Sequence, residues 1–280
     1  MTDKTDLLDL KERKLRELLR SYGQVAIGFS GGVDSTLLLR ESIEVLGAEK
    51  VLAVVADTPS LPRRELAGAL SLAADMGAEC VTINTDELSD PKYAANTKDR
   101  CYFCKQRIFM AIGAVAAAKG FACVLDGNNA DDEDDSRPGW RAAHELGVRS
   151  PLQEAGLTKA EIRLLSERLR LPTALKPAMA CLASRIPYGT TITRALLARI
   201  EQAENSLRAI GFNHCRVRHH GDVARIEVDP NDIPRLLDPT VRENVVRELK
   251  DAGYVFVTMD LQGYRTGSLN EEKVKKREAH

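Results

Sequence analysis

The feature that most constrains the fold is an apolar strand that runs directly into a glycine-rich hexapeptide. The strand is Val25-Ala-Ile-Gly-Phe29, the hexapeptide is Ser30-Gly-Gly-Val-Asp-Ser35, and a helix is predicted from Thr36 to Leu46. Two glycines let the backbone turn tightly and bring its N–H groups against an anion. The helix N-terminus adds a favourable dipole, and the serine hydroxyls add donors. The Gly-Lys-Ser/Thr ending of a Walker A loop is missing, so an anion-binding loop of another type is predicted.

Short apolar strands alternate with helices over the first part of the chain. After the hexapeptide, strands are predicted over Val51–Ala56, Cys80–Ile83 and Ala122–Asp126, with helices between them. This alternation predicts an α/β fold with a parallel sheet covered by helices on both faces. Ligands of such sheets bind beyond the carboxyl ends of the strands. The polar residues at those ends are Ser30, Asp57, Asn84 and Asp126.

A second domain is predicted where the pattern changes. Prolines and a glycine mark an irregular connector after about residue 172. The elements predicted beyond it are a helix (Thr193–Ile210), a hairpin (Cys215–Val228), a helix (Val241–Ala252) and a strand (Tyr254–Met259). We therefore expect an α/β domain over residues 1–172 and a smaller α+β domain over residues 173–280.

Charge and hydropathy exclude several classes of protein. The chain has 40 Lys+Arg and 41 Asp+Glu, a net charge of -1, which argues against binding nucleic acid through bulk charge. The longest nearly uncharged apolar run, Ile108–Ala118, is too short to cross a bilayer. The first twenty residues lack a signal-peptide core, so a cytoplasmic location without membrane partners is expected.

Six cysteines are too few for a disulfide scaffold. Cys80, Cys123 and Cys215 lie in predicted strands and are expected to be buried structural thiols. Three candidate functional thiols remain, Cys101 and Cys104 in a C-x-x-C and Cys181 in the proline-rich connector.

The C-x-x-C by itself fits a redox dithiol, half of a zinc site or part of an iron–sulfur site. Lys176 and Arg185 favour the reactive thiolate of Cys181. Three cysteines on a [4Fe–4S] cluster would leave one iron open to an exogenous sulfide. A mixed zinc site with His219 and His220, or three unrelated thiols, are the alternatives.

The hexapeptide resembles the PP-loop of ATP pyrophosphatases, which cleave ATP between its α and β phosphates. The resemblance implies that ATP is bound with Mg²⁺, which lies near Asp34. The loop residues implied to hold the pyrophosphate end are Ser30, Gly31, Gly32, Asp34 and Ser35. Asp57 would lie near the ribose or adenine, and Asp126-Gly127-Asn128-Asn129 resembles the second nucleotide motif of the superfamily.

Further segments resemble the LarE family, the ATP-dependent sulfurtransferases of nickel-pincer nucleotide cofactor synthesis, over about residues 5 to 270. They are Asp126–Asn129, Arg137-Pro-Gly-Trp-Arg141, Gly147-Val-Arg-Ser-Pro151, Cys181-Leu-Ala-Ser-Arg-Ile-Pro-Tyr-Gly189 and Arg216-Val-Arg-His-His220. The resemblance implies that ATP adenylates each carboxylate of pyridinium-3,5-biscarboxylic acid mononucleotide. A sulfur nucleophile then displaces AMP and leaves a thiocarboxylate.

The resemblance also implies roles for single residues. Sulfur would come from Cys181 itself, or from a [4Fe–4S] cluster on Cys101, Cys104 and Cys181. The residues implied on the substrate side are Ser184, Arg185, Arg216, Glu204 and Glu227. A hairpin rich in arginine is equally typical of a solvated face, and lone carboxylates are usually surface charges. Other enzymes of nickel-pincer cofactor synthesis and a homo-hexameric assembly are the implied partners.

Three other functions share some of these features. A tRNA thiolase also combines a PP-loop with three cysteines, but it needs a basic surface. Amide-forming PP-loop enzymes such as NAD or GMP synthetases use ammonia and do not need the three thiols. A nucleotide-binding redox sensor would not need a loop built for pyrophosphate release.

Overall fold

The structure is a computed structural model that describes residues 2–132 and 138–265. Outside the described residues lie Arg137, the part of the acidic run Asp131–Asp135 that follows Asp132, and the charged C-terminal stretch 271–280. The helices are α1 (Thr2–Tyr22), α2 (Val33–Leu46), α3 (Arg63–Asp75), α4 (Pro91–Ala94), α5 (Arg100–Ala118), α6 (Pro138–Glu145), α7 (Pro151–Glu154), α8 (Lys159–Arg168), α9 (Arg194–Ala209) and α10 (Pro239–Asp251). The strands are β1 (Val25–Gly28), β2 (Val51–Asp57), β3 (Glu79–Asn84), β4 (Cys123–Leu125), β5 (Cys215–His220), β6 (Val223–Val228) and β7 (Phe256–Met259).

The predicted α/β class is confirmed by a parallel sheet in the order β3-β2-β1-β4. Successive residues of β1 point to opposite faces, because side chains alternate along a strand. Val25 and Ile27 enter one hydrophobic cluster, while Ala26 enters the cluster on the other face. Both faces are therefore covered, which explains why β1 and most of β2 are apolar, whereas the edge strand β3 carries polar residues.

Local sequence signals mark the starts of two helices. Helix α8 begins at Lys159 behind a capping box: Thr158 N donates to Glu161 Oε2 at 2.8 Å and Glu161 N donates to Thr158 Oγ1 at 3.3 Å. Pro62 precedes the first residue of α3. Helices α6 and α7 were not predicted, because each is too short to show a clear apolar period.

The chain divides into two compact units, residues 1–93 with 98–179, and residues 94–97 with everything from 180 onward. The division follows Met179, close to the boundary that the sequence predicts after residue 172. Residues 94–97 join the second unit through backbone bonds: Ile192 N donates to Ala94 O at 2.8 Å and Gly189 N donates to Asn96 O at 3.1 Å.

The second unit is built on a three-stranded sheet in the order β5-β6-β7. Strands β5 and β6 form the predicted antiparallel hairpin, and β7 pairs with β6 in parallel. Helices α9 and α10 contribute Leu207 and Leu249 to the core of this unit. Cys215 is buried there as expected, whereas Cys80 and Cys123 in the first unit are only half-buried. Among the described helices, none is long and apolar enough to span a membrane.

Candidate active site

The glycine-rich loop leaves the end of β1 in a conformation that only glycine adopts easily. Gly31 has φ +67°, and a Cβ placed there would lie 3.0 Å from Cα and Cβ of Ala69 in α3. Phe29 N still donates to Val54 O at 2.9 Å, so the loop turns directly after the last sheet bond. Close approach of α3 therefore fixes the backbone of the loop.

The two serines of the loop face one another. Ser30 Oγ lies 3.1 Å from Ser35 Oγ, and Ser35 Oγ also donates to Gly32 O at 3.2 Å. Helix α2 begins at Val33, and its N-cap residue Gly32 has no side chain with which to cap it. Hydroxyls, first-turn amides without a side-chain cap and the helix dipole thus converge on one position, which suits a phosphate group.

Asp34 is held by two residues from distant parts of the sequence. Lys159 Nζ at the start of α8 forms an ion pair with Asp34 Oδ2. Asn129 Nδ2 donates to Asp34 Oδ1 at 3.4 Å, which brings the predicted second nucleotide segment to the loop. Sequence reasoning missed Lys159, although its place in the first turn of a capped helix was a usable signal.

The segment after β4 packs against the same loop. A Cβ on Gly127 would lie 3.1 Å from Ser35 N and 3.3 Å from Asp34 Cβ, so a glycine permits this contact. Asp126 is 5% exposed and accepts bonds from Ser150 Oγ at 2.7 Å and Asn128 Nδ2 at 2.6 Å. Burial raises the pKa of Asp126, although the hydrogen bonds from the Ser150 hydroxyl and from the backbone N–H of Asn128 oppose the shift. The carboxyl group therefore braces the segment.

Two basic residues flank the loop and the end of β2: Lys176, which the sequence assigned to Cys181, and Arg63, which was not predicted. Lys176 Nζ donates to Gly31 O at 3.0 Å and forms an ion pair with Glu65 in α3 at 2.9 Å. Arg63 Nη1 contacts Asp57 Oδ1 at 2.5 Å, and its Nη2 donates to Thr58 O at 2.6 Å. The first unit thus brings the predicted ATP-site residues of the loop, of β2 and of β4 to one edge of the sheet.

Cys101 lies in the first turn of α5 in the first unit, and Cys104 begins the second turn. Cys101 is exposed, whereas Cys104 is half-buried with Sγ 3.9 Å from Glu87 Oε1. Glu87 is 1% exposed, and burial raises its pKa, opposed by a 3.1 Å bond from Thr85 Oγ1. In the parts of the chain that the structure describes, no three His, Cys, Asp or Glu side chains are grouped to hold a metal ion.

Cys181 belongs to the second unit, directly before a 3₁₀ turn over Leu182–Arg185. Arg185 Nη1 donates to the carbonyl oxygens of Ala180 and Cys181 at 2.7 and 2.9 Å. The same guanidinium forms an ion pair with Glu204 of α9, Nε to Oε1, at 2.8 Å. Arg185 and Glu204 are 2% and 1% exposed, so this pair fixes the backbone around the thiol.

Glu204 lies among several arginines. Burial by itself raises the pKa of Glu204, but Arg185, Arg216 and Arg208 outweigh it and lower the pKa to about 2. Burial and the charge of Arg185 lower the pKa of Arg216, whose guanidinium stacks 5.1 Å from the ring of Tyr264. The interpretation of Glu204 as a surface carboxylate is therefore wrong, since it is an ion-paired core residue.

Glu227 is likewise buried, at 0% exposure, and it is not a surface carboxylate. It accepts bonds from Arg218 at 2.7 Å and Arg225 at 3.2 Å. Arg218 Nη1 reaches on to the backbone oxygen of Ser184 at 3.0 Å. The second unit thus joins the predicted substrate-side residues Ser184, Arg185, Glu204 and Glu227 into a network around the Cys181 segment, with the two glutamates holding the arginines.

Comparisons with known proteins add to this geometry. The family described as NAD synthase matches residues 8–135. Pyridinium-3,5-bisthiocarboxylic acid mononucleotide synthase of Lactiplantibacillus plantarum is 40% identical over 268 residues, which are 96% of this chain and 96% of that protein. An uncharacterized protein of Synechocystis is 40% identical over 94% of this chain and 98% of its own length. One from Methanocaldococcus jannaschii is 28% identical over 93% of this chain and 97% of its own length.

Proposed function

The chain belongs to the LarE family, that of pyridinium-3,5-bisthiocarboxylic acid mononucleotide synthase, and on this premise we propose that it is an ATP-dependent sulfurtransferase. Its substrate would be pyridinium-3,5-biscarboxylic acid mononucleotide, and its product the bisthiocarboxylate. The observation that carries the proposal is the identity of 40% along 96% of both chains. The glycine loop with its converging hydroxyls and amides supports the ATP-dependent half.

Activation of the carboxylate is the task of the first unit. A carboxylate is a poor electrophile, because its charge repels nucleophiles and oxide is a poor leaving group. Attack of a substrate carboxylate oxygen on the α-phosphorus of ATP forms an acyl-adenylate and releases pyrophosphate. Ser30, Gly32 and Ser35 would receive the pyrophosphate end, which suits their donors.

Asp34 is the residue suited to the Mg²⁺ that accompanies ATP, because this cation prefers carboxylate oxygens and phosphates. In the structure Lys159 occupies one oxygen of that carboxylate. When Mg²⁺ and the triphosphate bind, the ammonium group of Lys159 would leave Asp34 and pair with phosphate oxygens instead. Lys159 therefore keeps the site neutral before ATP binds and compensates phosphate charge afterwards.

Sulfur would enter through the three candidate thiols. Cys101 and Cys104 lie three residues apart near the start of α5, a C-x-x-C spacing that could supply two ligands of a [4Fe–4S] cluster. Cys181 would be the third ligand, or the sulfur donor itself. A cluster with three cysteine ligands can bind a replaceable sulfide. Displacement of AMP by sulfur yields the thiocarboxylate.

The second unit would bind the substrate phosphate. Ser184 carries a hydroxyl beside Arg185, and Arg216 is a half-buried guanidinium of β5. Arginine suits a phosphate because its planar fork offers paired donors. Glu204 and Glu227 would act by fixing arginines rather than by touching substrate. We further propose a cytoplasmic homo-hexamer that acts with other enzymes of nickel-pincer cofactor synthesis and binds no nucleic acid.

The first test measures pyrophosphate released from ATP when the pyridinium dicarboxylate mononucleotide is added. We expect substrate-dependent release by the wild type and a loss of at least about a hundredfold in Asp34→Ala, since a metal-binding carboxylate is removed. Glu44→Ala, which changes an exposed carboxylate of the same helix, is the matched control. No substrate-dependent release by the wild type would contradict the proposal.

The second test separates the two sulfur sources. Protein purified anaerobically is analysed for iron and acid-labile sulfide, with Cys101→Ala, Cys104→Ala and Cys181→Ala beside the control Cys80→Ala. We expect iron in the wild type and the control, and its loss in the three variants. Iron-free protein after anaerobic reconstitution would contradict the cluster. If mass spectrometry then shows that Cys181 has lost the mass of one H₂S after turnover, the thiol of Cys181 is favoured as the sulfur donor.

A further inference from the structure

The proposed reaction leaves two segments of the sequence without a role, and the structure brings them together. The described part of the first, Pro138-Gly-Trp-Arg141, begins α6, while Gly147-Val-Arg-Ser-Pro151 leads into α7. Between them lies a cleft of about 470 Å³ in the first unit. This volume lies in the range of small-molecule sites, about 300–1,000 Å³.

One wall of the cleft is an aromatic platform. The indole of Trp140 stacks on the ring of His144, with centroids 5.1 Å apart and an angle of 23° between the planes. Its Nε1 donates to Gln153 Oε1 at 3.2 Å, so the ring is anchored to α7 on the opposite wall. Trp140 remains 37% exposed. The indole is thus held in place while part of its surface stays open to a flat ring.

Arg149 also lines this cleft, and only part of its guanidinium group is engaged in hydrogen bonds. Arg149 binds Glu154 through Nε at 2.9 Å and Nη2 at 2.5 Å, and it stacks 5.2 Å from the ring of Tyr22. Among the described residues, nothing accepts a hydrogen bond from Nη1 of Arg149, and its side chain is 50% exposed. The orientation of the guanidinium is fixed while Nη1 remains available to an anion.

We propose that this cleft binds a flat aromatic ring that carries a carboxylate. The ring would stack against Trp140 and the carboxylate would accept hydrogen bonds from Arg149. Glu154 accepts hydrogen bonds from Arg149, Tyr22 and Ser150 N, which offset part of its charge but leave it a competitor of the ligand carboxylate for Arg149. Pyridine carboxylates belong to this chemical class. The site is separate from the PP-loop, and binding there requires neither ATP nor sulfur.

The cleft is connected to the nucleotide edge through one side chain. Ser150 lines the cleft and donates to Asp126, and the following Gly127 packs against Asp34 and Ser35 of the glycine loop. An occupant that moved Ser150 would therefore act on the loop through Asp126.

The test uses the fact that Trp140 is the only tryptophan of the chain, so its fluorescence reports on this cleft alone. The full-length protein without nucleotide is titrated with pyridine-3-carboxylate, and affinity is measured in parallel by calorimetry. We expect saturable quenching with a Kd on the order of 1 mM, as for a ligand of this size. Pyridine and cyclohexanecarboxylate, which each lack one of the two recognised groups, should bind at least about tenfold more weakly.

Two variants with opposite expected effects on the binding affinity complete the test. Arg149→Gln should weaken binding at least about tenfold, whereas Glu154→Gln, which removes the competing carboxylate, should strengthen it. Arg168→Gln is the matched control, because it also removes an exposed, ion-paired arginine of the first unit and should leave binding unchanged. Absence of saturable quenching, or equal affinity of wild type and Arg149→Gln, would overturn the proposal. Neither result depends on catalytic activity.

Discussion

Replacing Glu204 with glutamine should destabilise the second unit more than any single surface charge does. The substitution keeps the shape of the side chain and an acceptor for Val217 N, which donates to Oε1 at 3.2 Å. It removes the negative charge from the Arg185–Glu204 ion pair, in which both side chains are almost wholly buried. Arg185 and Arg208 would then lie close together without the carboxylate that separates their charges.

The size of the effect follows from the pKa of the carboxyl group. The surrounding arginines lower the pKa of Glu204 from 4.5 to about 2. At 1.36 kcal/mol for each pH unit, this corresponds to roughly 3 kcal/mol of stabilisation, in line with the loss expected when one partner of a buried pair is removed. Because the folded-state pKa is lowered, the contribution is complete above pH 4.5 and is lost as the pH falls towards 2.

Urea unfolding followed by circular dichroism, with hydrogen exchange of the β5 amides to isolate the second unit, measures the difference. We expect Glu204→Gln to lose about 3 kcal/mol at pH 7, and the gap to the wild type to narrow steadily below pH 4.5. Asp232→Asn removes a half-exposed pair with Arg235 and should cost less than about 1 kcal/mol. Equal losses in both variants, or a gap that does not change with pH, would refute the reasoning.

Three further predictions concern the glycine loop, the Lys159–Asp34 ion pair and the burial of two cysteines. Gly31→Ala should lower pyrophosphate release at least about tenfold through backbone strain, whereas Gly68→Ala, with no atom within 4 Å of its added Cβ, should not; equal rates would contradict this. Lys159→Ala should raise the KM for ATP about tenfold and Lys159→Arg should restore it, since the charge is what matters; an unchanged KM in the alanine variant would count against it. Iodoacetamide should label exposed Cys101 well before buried Cys215 in the native protein, as followed by peptide mass spectrometry, and equal labelling would disprove the assigned burial.

Much of the first unit could be predicted because its signals are local. The strand, the two glycines and the helix start of the PP-loop are contiguous, and the capping box of α8 spans only Thr158 to Glu161. Alternating apolar segments are enough to predict a parallel sheet, and polar residues at strand ends then have to meet at one edge. Family likeness was also visible in the sequence, since its segments run along most of the chain.

The tertiary structure decided which charges are functional and which are structural. Lys159 reaches Asp34 across 125 residues, and no local pattern predicts such a pair. Glu204 and Glu227 resemble surface carboxylates in sequence, yet folding buries both among arginines. The Trp140 cleft exists only because α6 and α7 are brought together. The sequence by itself thus determined the elements and the anion loop, whose signals depend on neighbouring residues. Burial and ion pairing depend on long-range packing, which only the folded chain specifies.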